Sequence, residues 1–381
     1  MKIVIAPDSF KESLTALEVC EAIEQGFKAV WPDAEYRQLP MADGGEGTVQ
    51  SLVDASQGEI HRCAVRGPLG EPVSAFWGMM GDGETAVIEM AAASGLHLVP
   101  PAARDPLITS SYGTGELIKA ALDHGARRLI IGIGGSATND GGAGMAQALG
   151  IALLDRDGQA LQPGGGALAE LARIDLSGRD PRLADLQIEV ACDVDNPLCG
   201  PRGASAVFGP QKGATETMVA QLDANLKHYG TLMERQLNRE VVEVPGAGAA
   251  GGMGAALLGL LGASLRPGIE IVMDAAGLAD AVVGADLVIT GEGRIDSQTV
   301  YGKTPHGVAR MAQQAGCPVI AIAGSVSDDH AVVHEHGIDA VFSVVPGACA
   351  LPEAIKEAGR NVTVTARNVA QLLSLGHGLR P

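Results

Sequence analysis

Leu287-Val288-Ile289-Thr290-Gly291-Glu292-Gly293-Arg294 is a short apolar, β-branched run that stops at a turn rich in glycine and charge. Such a run reads as a buried strand ending in a loop. A helical pattern over 304–315 follows it. Further apolar runs come at 318–323 and 340–344, and a final helical stretch covers 351–375. Strands recurring with helices between them predict parallel βαβ units. The other chain end repeats the rhythm. A strand at 2–6 leads to Thr15-Ala16-Leu17-Glu18, a capping box that opens a helix with Val19, Ile23, Phe27 and Val30 on one face. A strand at 35–39 and a helix from about Thr48 come next. Residues 1–60 and 285–381 are therefore expected to form one doubly wound (Rossmann/flavodoxin-like) α/β domain.

The middle, 61–284, reads differently. The stretch 59–90 is strand-rich, with Gly81-Asp82-Gly83 as a hairpin turn. Strands are predicted at 128–133 and 187–192, a helix ending at Gly150, and a long helix over 215–237. The expectation is a second, mixed α/β domain inserted in the first, with the active site in the cleft between them.

Composition narrows the function. Of 381 residues, 52 are glycine, close to twice the usual share of roughly 7%. They cluster at strand ends without a triplet repeat, as loops that approach a ligand closely would. The net charge of −18 argues against nucleic-acid or anionic-membrane partners, which need a positive field. An anionic substrate must then find local lysine, arginine or a metal ion. Six scattered cysteines without a C-x-x-C pair, and no apolar run of membrane-spanning length, place the chain in the cytoplasm.

Five polar, glycine-rich clusters begin where predicted elements end: Asp8-Ser9-Phe10-Lys11, Ala42-Asp43-Gly44-Gly45-Glu46, Gly134-Gly135-Ser136-Ala137-Thr138-Asn139-Asp140, Asp193-Val194-Asp195-Asn196 and Gly291-Glu292-Gly293-Arg294. Open α/β sheets bind ligands beyond the carboxyl ends of their strands, so the five together outline a site. Asp193 and Asp195, two apart and read as lying in a strand, face the same way and suit a hard cation or a division of base and metal duties. Glycine-loop N–H groups such as those of Gly134 and Gly135 can hold a phosphate. The basic residues at the clusters are Lys11, Lys212, Arg294 and Lys303.

Other readings compete. Gly132-x-Gly134-x-x-Ala137 with Asp155 further on fits a dinucleotide-binding fingerprint and would make the protein an NAD(P)-dependent oxidoreductase. Gly302-Lys303-Thr304 resembles the end of a phosphate-binding P-loop, but Ser297 stands where its first glycine belongs. A non-catalytic organic-acid binding protein is the third reading. The histidines lack zinc spacing, and no G-x-S-x-G elbow is present.

The clusters, together with Gly246-Ala247-Gly248-Ala249-Ala250-Gly251-Gly252-Met253-Gly254, occur in the order and spacing of the type I bacterial glycerate kinases, and the chain resembles that family throughout, its enterobacterial glycerate 2-kinases above all. The resemblance implies transfer of the ATP γ-phosphate to D-glycerate at the 2-hydroxyl, in glyoxylate or aldarate breakdown, by a monomer or homodimer. Phosphoryl transfer demands charge neutralisation, alignment and a base near the attacking hydroxyl. On those demands Asp193, Lys11 and Asp8 are the catalytic candidates. Gly134, Gly135, Ser136 and Asn139 are assigned to the nucleotide, and Asp43, Ser9 and Arg294 to the substrate. Asp195 and Glu292 are assigned to Mg2+.

Overall fold

A computed structural model describes residues 1–378. The chain divides into two compact units: Met1–Asp43, Gln50–Gln57 and the chain from Ile269 onward form the first, Gly44–Val49 and Gly58–Gly268 the second.

The first unit is built on a five-stranded, wholly parallel sheet. Its strands Lys2–Ile5, Glu35–Gln38, Leu287–Thr290, Val319–Ala323 and Ala340–Ser343 lie in the spatial order second, first, third, fourth, fifth. This is the flavodoxin-like, doubly wound order, in which the chain reverses direction of winding between the first and third strands. The central strands are buried on both faces and therefore read as continuous apolar runs. Ile3, Ile5, Ile289 and Ile322 pack with Val19, Ile23 and Phe27 of the helix Ala16–Lys28 and with Val362 and Ala366 of the C-terminal helix. The predicted capping box forms: Thr15 Oγ1 accepts the Glu18 N–H at 3.2 Å, and Glu18 accepts the Thr15 N–H at 2.8 Å. The closing helical stretch is two helices, Leu351–Lys356 and Ala358–Gly378.

The second unit carries a six-stranded mixed sheet. Ser264–Arg266, Gln187–Ala191, Arg128–Gly132 and Thr85–Glu89 run parallel to one another, and Pro72–Met79 and Glu59–Arg66 complete it antiparallel. The hairpin predicted at Gly81-Asp82-Gly83 joins Pro72–Met79 to Thr85–Glu89. Its Asp82 carboxylate takes the N–H groups of Glu84 and Thr85, each at 2.9 Å. The helix Ala249–Leu261 begins with three left-handed residues, Ala250, Gly251 and Gly252, so the glycine run at 246–254 is a kinked backbone segment. It packs on the loop after Arg128–Gly132, where the Gly141 N–H donates to Gly251 O at 3.0 Å.

Candidate functional site

In the first unit, three loops leave the carboxyl ends of three neighbouring strands. Pro7–Lys11 follows the first strand, 39–43 the second, and 291–296 the third. Backbone bonds tie them together. Asp8 N–H donates to Gly291 O at 2.8 Å and Met41 N–H to Pro7 O at 2.9 Å. Gly291 has to be glycine, because a Cβ there would sit 1.9 Å from Ile322 O. The first and third loops flank the point where winding reverses, which is where open α/β sheets form ligand crevices.

Asp8 is the centre of this group. Its Oδ1 accepts the Ser9 N–H at 2.7 Å and the Ser9 hydroxyl at 3.3 Å, and its Oδ2 accepts the Thr304 hydroxyl at 2.6 Å. Burial lifts its pKa from 3.8 to about 6, against the pull of the Thr304 and Ser9 bonds; the negative charges of Asp43 and Glu292 push the same way as burial. Glu292 is also raised by burial. The Thr299 hydroxyl and Lys303 Nζ, at 2.7 and 3.3 Å, hold it down. Lys303 lies 4.0 Å from Asp296 as well. Lys11 and Arg294 are exposed; Arg294 reaches Ser327 Oγ at 2.9 Å and Asp296 at 3.4 Å. Asp8, Ser9, Asp43, Glu292 and Arg294 thus share one set of adjoining loops, with Lys11 beside Gly293.

The sequence marks Lys303 only as a basic residue at the clusters and Thr304 only as part of an incomplete P-loop pattern. The P-loop pattern around them fails, as the structure agrees: Gly302 ends a turn, not a phosphate cradle after a strand. They stand at the start of the helix Thr304–Gln314, where Lys303 meets Glu292 and Thr304 meets Asp8. The signal available was a lysine and a hydroxyl residue at a helix start, with Pro305 fixing the first turn.

In the second unit, the loop after Arg128–Gly132 presents Gly134 and Gly135 to solvent. Gly135 is left-handed at φ +72°. Among the described residues the N–H groups of Gly134, Gly135 and Ser136 donate to no protein acceptor, leaving three successive donors at the loop tip. Beneath the tip the loop is anchored by buried charge. Lys212 Nζ donates to Ser136 Oγ and Thr138 O, both at 2.6 Å, and is fully buried. Burial drags its pKa down to about 7, with Asp140 opposing. Asp140 accepts the Ser111 N–H and hydroxyl at 2.8 Å and the N–H groups of Gly142 and Gly144 at 3.1 and 3.2 Å. Asn139 faces inward, not to the loop tip: it is fully buried and its amide donates to Ser205 Oγ at 2.9 Å.

Asp193 and Asp195 stand beyond the neighbouring strand, and here the sequence expectation needs correction. The strand Gln187–Ala191 ends before them, so the alternation argument for a shared face does not apply. Both are exposed. Asp193 accepts the Gly268 N–H at 2.9 Å, and Asp195 is held bidentate by Arg202 at 2.9 and 2.8 Å. The dinucleotide fingerprint fails on geometry too. The helix begins at Ala143, well past Ala137, and the Asp155 carboxylate is occupied by the N–H groups of Asp157 and Gln159 in its own turn. Among the described residues no three His, Cys, Asp or Glu side chains converge into a metal-holding group, and no helix is long and apolar enough to cross a membrane.

The family model of the Glycerate kinase family matches residues 3–374. A glycerate kinase of Bacillus subtilis is 64% identical over 375 residues, covering 98% of each chain. The glycerate 2-kinase of Escherichia coli is 59% identical over 376 residues, covering 99% of each. A crystal structure from Salmonella typhimurium LT2, of a protein provisionally named glycerate kinase 2, superposes with a TM-score of 0.93 at 59% identity over the full length of both chains.

Proposed function

Because the chain belongs to the glycerate kinase family, we propose that it transfers the γ-phosphate of ATP to D-glycerate at the 2-hydroxyl, giving 2-phosphoglycerate and ADP. The observation that carries the residue roles is Asp8. A general base works best with a pKa near the operating pH, and this carboxyl is lifted to about 6 while keeping an opening to solvent. At neutral pH it is ionised and ready to accept the hydroxyl proton as the oxygen forms its bond to phosphorus and the bond to the ADP oxygen breaks. Thr304 and the Ser9 N–H hold its two oxygens in place. Lys11 and Arg294 in the same loops, with Lys303 at the start of the helix Thr304–Gln314, supply positive charge that would meet the glycerate carboxylate. The Gly134–Ser136 N–H groups would receive nucleotide phosphates.

ATP-dependent transfer calls for a divalent cation, which neutralises phosphate charge when bound. The donors fit one. Mg2+ prefers hard oxygen ligands and takes only one or two protein carboxylates beside water and phosphate. Glu292, with a carboxyl raised by burial and balanced by a single lysine, is the residue we assign to it. Asp195 is left aside because Arg202 already holds both of its oxygens.

Regiochemistry is tested by coupling the reaction to enolase without phosphoglycerate mutase, with MgATP and D-glycerate supplied. Signal without the mutase is the expected result. Signal only after its addition means the 3-hydroxyl is the acceptor. No ATP-dependent phosphorylation of glycerate in either arrangement overturns the kinase reading.

A further inference from the structure

Beside the Gly134–Gly135 tip, within the second unit, lies a cavity of about 500 Å3, a size suited to a small-molecule site. The two glycines line it together with the apolar and aromatic side chains of Phe76, Ala91, Leu96 and His97. Wall and loop are one piece of backbone. The Leu96 N–H donates to Gly135 O at 2.8 Å, the Ala137 N–H to Ser94 O at 2.9 Å, and the Met90 N–H to Gly132 O at 2.9 Å. The residues 96–97 are therefore held at a fixed offset from the three undonated N–H groups of the tip. Gly95 lets the His97 ring fold back, since a Cβ there would lie 2.7 Å from it. Phe76 carries the Arg62 guanidinium over its ring at 5.8 Å, opposite it in the neighbouring strand.

The charge of the lining selects the occupant. Glu46 and Glu89 border the cavity, and among the described residues no lysine or arginine does. Glu89 is committed to structure: it accepts the Val49 N–H at 2.9 Å and caps the start of the helix Thr48–Ser56. An anion such as glycerate would be repelled by these carboxylates. A flat, neutral, aromatic ring joined to an anionic tail that rests on the loop tip meets both requirements at once. We propose that this cavity seats the purine base of the nucleotide whose phosphates lie on residues 134–136; the proposal rests on the reading of that tip as the phosphate site.

The test compares ATP with inorganic tripolyphosphate by titration calorimetry on the full chain. Three variants are used: Phe76→Ala, Leu96→Asp and Gly134→Asp. Gly134 tolerates a side chain sterically, since nothing lies within 4 Å of a Cβ there. Base stacking on a ring contributes enough that its loss weakens binding by about tenfold or more. Phe76→Ala is expected to weaken ATP by about that factor while leaving tripolyphosphate within about twofold, and Leu96→Asp, whose carboxylate would stand beside the tip, to weaken ATP by clearly more than it weakens tripolyphosphate. Retained tripolyphosphate binding also reports that the variants are folded. Gly134→Asp is expected to weaken both ligands. Wild-type ATP affinity in Phe76→Ala and Leu96→Asp, with both ligands lost in Gly134→Asp, removes the base seat and leaves the phosphate loop standing. Unchanged binding of both ligands in Gly134→Asp overturns the loop reading, and the seat with it.

Discussion

Asp8→Asn should abolish most turnover while making the protein more stable at neutral pH. The two effects have one cause. Losing a positioned acid–base group costs about 10²–10⁴-fold in rate, so kcat should fall by at least ~10²-fold. The same carboxyl is a burden on the fold. Raising its pKa from 3.8 to about 6 means that, once ionised, it destabilises the folded chain by at most about 3 kcal/mol. The sign follows from proton uptake. Between those two pKa values the folded state binds the proton and the unfolded state does not, so stability is lost as pH rises through about 6. Asparagine keeps the shape, its oxygen can still accept the Ser9 N–H, and it carries no charge to bury. Chemical denaturation at pH 8 should show the variant more stable than wild type, with the gap narrowing toward pH 5. In the wild type, kcat/KM should fall about tenfold per pH unit below about 6, where Asp8 gains its proton. A variant with near-normal kcat, or a pH profile flat through 5–7, removes Asp8 from proton transfer.

Much of this site could be seen in the sequence, and the parts that could not share a physical reason. Apolar periodicity located the five strands of the first sheet and most of the second, though not its edge strand Ser264–Arg266, because burial on both faces forces continuous apolar runs such as those at 287–290 and 319–323. The capping box at Thr15 and Glu18 was readable because both partners lie within one turn. The glycine and acid clusters were visible at the strand ends. Which way each residue faces was not. Asn139 and Gly134 are equally good turn residues, yet one is sealed inside against Ser205 and the other is open to solvent. The pair Asp193 and Asp195 was misread because a strand boundary can be wrong by two residues, and a period-two argument fails entirely with such a slip. Thr304 is brought to Asp8 from 296 residues away, a contact that no local pattern encodes, whereas Lys303 reaches Glu292 over only 11 residues. Lys212 reads in the sequence as one of the basic residues at the clusters; only the packed structure shows it buried as the support of the loop 136–138.

That support leads to the largest stability effect expected. Every contact made by Asp140 is a donor pointing in: two glycine N–H groups, the Ser111 N–H, and the Ser111 hydroxyl, whose oxygen in turn accepts the Met145 N–H at 3.0 Å. A carboxylate satisfies all four, whereas a protonated carboxyl would have to donate to one of them. Asp140→Ala strands these donors in the core and removes the negative charge that opposes the fall of the Lys212 pKa to about 7 on burial. Leaving even two of these buried donors unsatisfied costs about 1–3 kcal/mol each, which for a unit of this size lowers the thermal midpoint on the order of 10 °C. ATP affinity should fall as well, because the tip at 134–136 rests on the anchored segment. The pairing with Lys212 has its own signature. If the two buried charges support each other, Asp140→Ala combined with Lys212→Met should cost less than the sum of the two single variants, since no lone charge remains inside. A double variant whose loss is additive would mean that Asp140 acts only through its hydrogen bonds to Ser111, Gly142 and Gly144, and that the ammonium beneath the loop is stabilised by Ser136 and Thr138 alone.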